Sequence, residues 1–559
     1  MTSDDYNVIC NQMLTVAMKY VNTSQIKCYA NIDKKSVNGG DIIYKSAVAD
    51  RSPITLVYTP AGTGKSSLIK ERINAMIRHG EDPAKILVLN MNIAKAKQMK
   101  NEIPGVNAMT FCDFIHGIFT ANNNNFSLAD SNTVTNLLRV KSDPNDATAA
   151  KFINTLSMID PQDRTVMSAL MVNQNLDKIY DLLKGIGRID YSLESIICHN
   201  MMYRYPNNPY DVNAIIINGI HNMPVPILCT IIEYVNRYHC NLFMTGSTEE
   251  TIYEFNMAYK NSMDVIAAYS DKGIGIVRLS KSVMTESIDA AVNQKRVSAL
   301  TDIRLKSLNS RFANDNTIMT EVFSPEGTDY ISSKLAKKEQ ILIVTRLKSD
   351  IPLIQSAIEK FYRNKFPHMS ILNIADLNPP DTEYSTMLAR NINTLRKKYT
   401  TMDNQTIGFE LYEMFEKAIG ETKSVYRKNM LTAHRDNLIE FIKELSASVS
   451  DESRGVDDAV ISVIDYESSK VQAHMDELQN KSTMDFRDAD IILSTIHSAI
   501  DIRNDNVVVF FRNLSENDAA LYRVAMSRAN KTAYVIFVNN GTMTTKFQRY
   551  LTLFTTTCV

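Results

Sequence analysis

At 559 residues the chain is too long for one hydrophobic core, so about three or four domains are expected. An apolar share of 44% with 22% charged residues is that of an ordinary soluble globular protein. No stretch approaches the roughly 18 apolar residues of a membrane span, and 61 Lys and Arg against 62 Asp and Glu leave no overall electrostatic footprint for nucleic acid, although a neutral protein can carry a locally basic groove.

The opening Met1-Thr2-Ser3-Asp4-Asp5-Tyr6 has neither the basic nor the apolar region of a secretory signal, which points to an intracellular, cytoplasmic chain. Apolar runs bounded by turn signals then alternate with helical stretches, the pattern of a parallel α/β sheet. In chain order the strand candidates are Ile54–Tyr58, Lys85–Leu89, Ala214–Ile217, Leu242–Thr245, Gln340–Val344, Ile491–Ser494, Asn506–Phe511 and Ala533–Val538. They fall into two groups, one before residue 280 and one from 340 onward, which predicts two α/β cores. Residues 120–205 and 375–485 are strand-poor and helical. The second of these begins at Asn378-Pro379-Pro380-Asp381, places apolar residues on one face of Leu438–Leu445, and carries a charged loop at Asp451–Asp458. Seven scattered cysteines with no C-x-x-C pair argue for reduced thiols rather than disulfides or a zinc site, and the adjacent Cys198-His199 and His239-Cys240 read as core or surface residues.

The chemistry starts at the first strand. Ile54-Thr55-Leu56-Val57-Tyr58 runs into Thr59-Pro60-Ala61-Gly62-Thr63-Gly64-Lys65-Ser66-Ser67, and a helical pattern follows at Leu68, Ile69, Ile73, Met76 and Ile77. Strand, glycine-bearing loop and helix is the setting a Walker A phosphate loop requires, although Thr59 replaces its first glycine. Backbone N–H groups over Gly62, Thr63, Gly64, Lys65, Ser66 and Ser67, with the helix N-terminus, would cradle phosphates. Lys65 would reach the β and γ oxygens, and the Ser66 hydroxyl would coordinate Mg²⁺. The bland alternative is a structural turn.

From this loop onward the order of segments resembles the UvrD/Rep/PcrA family of superfamily 1 helicases. Ile86–Lys100 looks like motif Ia, and Thr110-Phe111-Cys112-Asp113-Phe114 stands where the family has T-F-H-S-F. Leu242-Phe243-Met244-Thr245-Gly246 followed by Thr251-Ile252-Tyr253-Glu254-Phe255 is similar to motif III. Thr495-Ile496-His497-Ser498-Ala499 matches motif V, and Tyr522–Ala529 matches motif VI, Y-V-A-L-T-R-A. The resemblance implies two RecA-like P-loop domains, each a parallel α/β sheet with a mostly helical insertion. It implies a first core over 1–119 and 206–277 with its insertion at 120–205, and a second over 278–374 and 488–559 with its insertion at 375–487. ATP with Mg²⁺ would lie in the cleft between Lys65 and Arg528, the latter as an arginine finger. Single-stranded nucleic acid, DNA favoured over RNA, would cross both cores near Thr110, Phe111, Tyr253, Thr495 and His497. Protein partners would belong to a replication, repair or transcription complex, and so divergent a motif set would suit a virus or a mobile element.

The departures concentrate where the family does its chemistry. After Ala214-Ile215-Ile216-Ile217 the family has D-E-x-Q-D, and this chain has Asn218-Gly219-Ile220-His221-Asn222. The first acid of that motif holds Mg²⁺ through water and the second activates the attacking water; losing such a base costs on the order of 10²–10⁴ in rate. Ser247 and Glu250 replace the motif III aspartate and glutamine, Met284 the motif IV arginine, Arg503 the motif V glutamate, and Tyr44 the adenine-reading glutamine. Bland readings stand beside the sharp ones: a surface arginine for Arg528, a core histidine for His497, a loop histidine for His221, core packing for Phe111 and Phe255. Solvated helix faces explain Arg396-Lys397-Lys398 and Lys334 with Lys337-Lys338 as well as phosphate contacts do. Two functions compete. One is a pseudo-enzyme that keeps the fold and its ligands with impaired or absent hydrolysis. The other is an active ATP-dependent helicase or translocase whose base has moved, with Glu249 and Glu250 the nearest carboxylates.

Overall fold

The run Ile54–Tyr58 is buried at every position, as a strand must be when helices cover both faces of its sheet. A computed structural model of the chain describes residues 3–29, 32–37, 42–59, 64–123, 125–157, 161–254, 257–279, 302–309, 318–319, 322–325, 329–374, 382–423, 425–481, 489–499, 502, 504–512, 519–526 and 528–539. Twelve of its strands build two parallel six-stranded sheets. The first contains β1 (Ile54–Tyr58), β2 (Ile86–Asn90), β3 (Asn107–Thr110), β4 (Ala214–Asn218), β5 (Asn241–Gly246) and β6 (Ile274–Arg278), in the order β3-β2-β4-β5-β1-β6. The second contains β7 (Asp302–Asn309), β8 (Ile341–Thr345), β9 (Ile371–Asn373), β10 (Ile491–Thr495), β11 (Asn504–Arg512) and β12 (Ala529–Asn539), in the order β9-β10-β8-β11-β12-β7.

All eight expected strands are present, and the four that the apolar runs do not reveal are β3, β6, β7 and β9. Helix Lys65–Arg78 packs Leu68, Ile69, Ile73 and Met76 against Val57, Val88 and Ile216 of the first sheet. In the second, Ile354 and Ile358 of helix Asp350–Tyr362 lie against Ile341, Ile343 and Leu493. The chain is thus α/β, with two RecA-like parallel sheets interrupted by helical segments.

Two compact units result. One comprises 1–114, 210–377 and 478–559 and contains both sheets; the other comprises 115–209 and 378–477. In the second unit the two insertions share one core. Leu137 and Val140 of helix Ser131–Lys141 join Leu388, Leu411, Phe415, Phe441 and Val463. Asn136 adds hydrogen bonds from its amide to Ser385 and Thr386. Its basic run is tied to acids, Arg396 to Asp457 at 2.8 Å and Lys398 to Glu410. The Asn378-Pro379-Pro380-Asp381 start of the second helical segment lies outside the described residues. Among the described residues no helix is long and apolar enough to cross a membrane.

Candidate functional site

In a parallel sheet every strand delivers its next residue to the same edge, which is where such folds bind ligands. Beyond β1, buried Thr59 donates its backbone N–H to the Gly246 carbonyl at 2.7 Å, which holds the ends of β1 and β5 together. Gly64 caps helix Lys65–Arg78 at φ +85°, and a Cβ there would meet nothing closer than Ser67 at 3.9 Å. Its glycine is therefore required by the backbone angle rather than by space. Lys65, Ser66 and Ser67 form the first helical turn, whose N–H groups have no partner within the helix and point outward for an anion. Gly62 and Thr63 lie outside the described residues.

Lys65 does not point into solvent. Its Nζ lies 3.1 Å from Oε2 of Glu250, in the short turn Thr248–Glu250 that follows β5. The glutamate side chain is 9% exposed and the lysine 21%. Burial alone would raise the Glu250 carboxyl; the charge of Lys65, foremost, and that of Arg528 outweigh this and hold it below the usual range. Helix Ala519–Met526 of the second core packs against this turn. Buried Arg528 follows it, donating from Nε to the Val524 carbonyl at 3.0 Å. Lys65 and Arg528, predicted from separate motifs, thus both act on one carboxylate.

His221 is 3% exposed, and its Nδ1 accepts the backbone N–H of Ser247 at 3.1 Å. Burial and the Lys65 charge push its pKa down to about 3, so it is a neutral imidazole at pH 7. Gly246 permits this packing: a Cβ there would lie 2.6 Å from Ile220 Cγ2, 2.9 Å from Met263 Sδ and 3.1 Å from His221 Nδ1. At the end of β4, the buried Asn218 amide donates to Asn90 Oδ1 at 3.2 Å, a partner that the motif comparison does not single out. Gly219 sits at φ +91°, a conformation a glutamate in that slot would occupy only under strain. Neither position supplies a carboxylate; Glu250 is the one that meets Lys65. For Mg²⁺ this leaves Ser66 and the neutral Asn218 as local oxygen donors, so a bound ion would depend on phosphate oxygens and water. Among the described residues no group of three or more His, Cys, Asp and Glu side chains could hold a metal by itself.

A second cluster joins the two sheets. Tyr253 donates its hydroxyl to the His497 carbonyl at 2.9 Å, and His497 Nε2 returns a bond to the Ile252 carbonyl at 3.2 Å. The two rings meet edge to face at 5.3 Å. Thr495 turns inward, its hydroxyl bonded to Ser498. Burial lowers the His497 pKa, and the charge of Arg346, the residue after β8 and one missed in the sequence, adds to this. The only sequence signal of Arg346 is its place directly after an apolar strand run.

Thr110 ends β3 and Phe111 begins the helix that follows it. Thr110 caps helix Phe111–Asn122, exchanging hydrogen bonds with Asp113, and Phe111 is only 2% exposed. Tyr44 lies half-buried against the first core on helix Ile42–Val48. Phe255, Met284 and Arg503 lie outside the described residues, as does the Glu249 side chain.

Residues 44–256 match the family model of an AAA domain. The matched span contains β1 to β5, with Lys65, Asn218 and Glu250, and ends before the second sheet. This part of the chain is therefore similar to an AAA domain with a P-loop. No curated protein matches the sequence. Among solved structures, a DEAD box protein from the hyperthermophile Methanococcus jannaschii is 10% identical, with a TM-score of 0.29 over 96% of this chain and 97% of that one. The DUF1998 helicase MrfA bound to DNA is 10% identical, with a TM-score of 0.36 over 94% of this chain and 50% of that one.

Proposed function

We propose that the chain is a superfamily 1 helicase-type protein that binds a nucleoside triphosphate between its two RecA-like cores and hydrolyses it slowly or not at all. The observation that carries this reading is the Lys65–Glu250 pair at 3.1 Å beyond the P-loop strand, while Asn218 and Gly219 supply no acid at the end of β4. A P-loop lysine that meets an anion, with the charge of Arg528 acting on the same anion, is what phosphate binding across a cleft needs. Mg²⁺ bound there would neutralise phosphate charge. Single-stranded nucleic acid, DNA rather than RNA, would run along the sheet edges where Tyr253, Thr495, His497 and Arg346 lie. An intracellular role as a regulator or subunit of a replication, repair or transcription complex follows from binding without efficient turnover.

The test is ATP binding and turnover, with and without single-stranded DNA or RNA, for wild type beside Lys65→Ala and Arg528→Ala. We expect labelled ATP to bind wild type and not Lys65→Ala, with turnover at least about 10²-fold below that of a motor retaining its base. Rapid turnover stimulated by nucleic acid and lost in both variants would replace this reading with that of a working motor.

A further inference from the structure

The family resemblance puts a neutral glutamine where this chain has Glu250, and the structure shows what the extra charge does. Its carboxylate touches Lys65 Nζ at 3.1 Å, the contact that Lys65 would otherwise offer to a terminal phosphate. The Thr248–Glu250 turn is braced from both sides. Ser247 donates to His221 at its start, Asn222 accepts the Ile252 N–H at 3.0 Å beyond its end, and helix Ala519–Met526 packs over it. Arg528, the expected finger, emerges from the end of that helix. The Glu250 carboxylate thus meets the lysine of one core and feels the charge of the arginine that follows the other core's helix, as the outermost phosphate of a triphosphate would.

We propose that Glu250 is a built-in competitor for the γ-phosphate, so that the site holds a nucleoside diphosphate more tightly than a triphosphate. The inference rests on the nucleotide reading above and specifies its ligand. A diphosphate occupies the turn at Gly64–Ser67 and leaves the Lys65–Glu250 pair in place. A triphosphate must displace Glu250 from Lys65 and then tolerate a carboxylate beside its own negative charge in a poorly hydrated site, where like charges repel strongly. The same contact argues against Glu250 as the catalytic base: a base must reach a water beyond the γ-phosphate, whereas this side chain holds the lysine that the phosphate needs.

The experiment is calorimetric titration of the full chain with ADP and with a non-hydrolysable ATP analogue, with Mg²⁺ and with a chelator. Wild type is compared with Glu250→Gln, Glu250→Ala and Glu250→Asp. Wild type should favour ADP, most strongly without Mg²⁺, since the ion masks phosphate charge. Glu250→Gln and Glu250→Ala should shift the ratio toward the triphosphate by about tenfold or more, with ADP affinity changed far less. Glu250→Asp, which keeps the charge, should stay near wild type. An unchanged ratio in the Gln and Ala variants, with both nucleotides still binding, overturns the inference and leaves the nucleotide site standing. Loss of slow turnover in Glu250→Gln at an unchanged ratio overturns it in favour of a catalytic base. Failure of every protein to bind either nucleotide overturns the nucleotide site itself, and the inference with it.

Discussion

Lys65→Ala removes the cation facing Glu250, and the consequence for stability can be worked out before any nucleotide is added. Truncating one partner of a buried ion pair costs about 3–5 kcal/mol, because the other charge is stranded. Here the lysine side chain keeps 21% of its exposure, so water already screens part of the attraction, and Arg528 remains to act on the carboxylate. We therefore expect a loss of about 2 kcal/mol at neutral pH. Glu250→Gln keeps the shape, and in that background Lys65→Ala should cost only about 0.5 kcal/mol, a coupling of about 1.5 kcal/mol.

The pH dependence carries a definite sign. The folded Glu250 carboxyl is held below its ordinary value, so its contribution is fully present above the unfolded value, about 4.3, and disappears as pH falls through the folded one. The gap between wild type and Lys65→Ala should therefore narrow from neutral pH into the acid range. Because the chain has no tryptophan, urea unfolding followed by far-UV circular dichroism is the suitable assay. A coupling below about 0.3 kcal/mol, or a gap that widens on acidification, would refute the electrostatic argument.

Two glycines beside the site should fail for different reasons. Gly246→Ala meets packed neighbours at 2.6 and 2.9 Å and should cost about 1–3 kcal/mol, whereas Gly219→Ala, with space but φ +91°, should cost about 1 kcal/mol; urea midpoints measure both. Tyr253→Phe removes the hydroxyl bond to the His497 carbonyl and keeps the ring contact, so about 1 kcal/mol of stability should go. Fluorescence anisotropy should also show a weaker effect of nucleotide on its single-stranded DNA affinity. Thr110→Ala loses the cap shared with Asp113 and should destabilise by about 1 kcal/mol with unchanged DNA affinity, whereas a large affinity loss would place Thr110 at the nucleic-acid surface.

Which features are legible in the sequence follows from how far apart the interacting residues lie. Ile54–Tyr58, Ala214–Asn218 and Ile341–Thr345 are continuous apolar runs because both faces of each strand are covered, so a local window finds them. The edge strands Asn107–Thr110 and Ile371–Asn373 are half exposed and give no such signal. The shared core of the two insertions is invisible locally, since contacts such as Asn136 with Ser385 join distant parts of the chain. The same holds at the site. Gly64 and Lys65 are read from strand, loop and helix in one window, and the missing acids from the slot after β4. The pairing of Lys65 with Glu250 depends instead on strand order. In the sheet, β1 lies beside β5 with Tyr58 opposite Gly246, so the residues that follow the two strands emerge side by side. Once that neighbour relation is known, a carboxylate in the turn after β5 comes within reach of the lysine that opens the helix after β1. The charge change from glutamine to Glu250 is then a change made at the contact of the P-loop lysine. A substitution that reads as one more lost motif residue is, in three dimensions, the gain of an anion beside the P-loop lysine, where the proposed nucleotide would put its own.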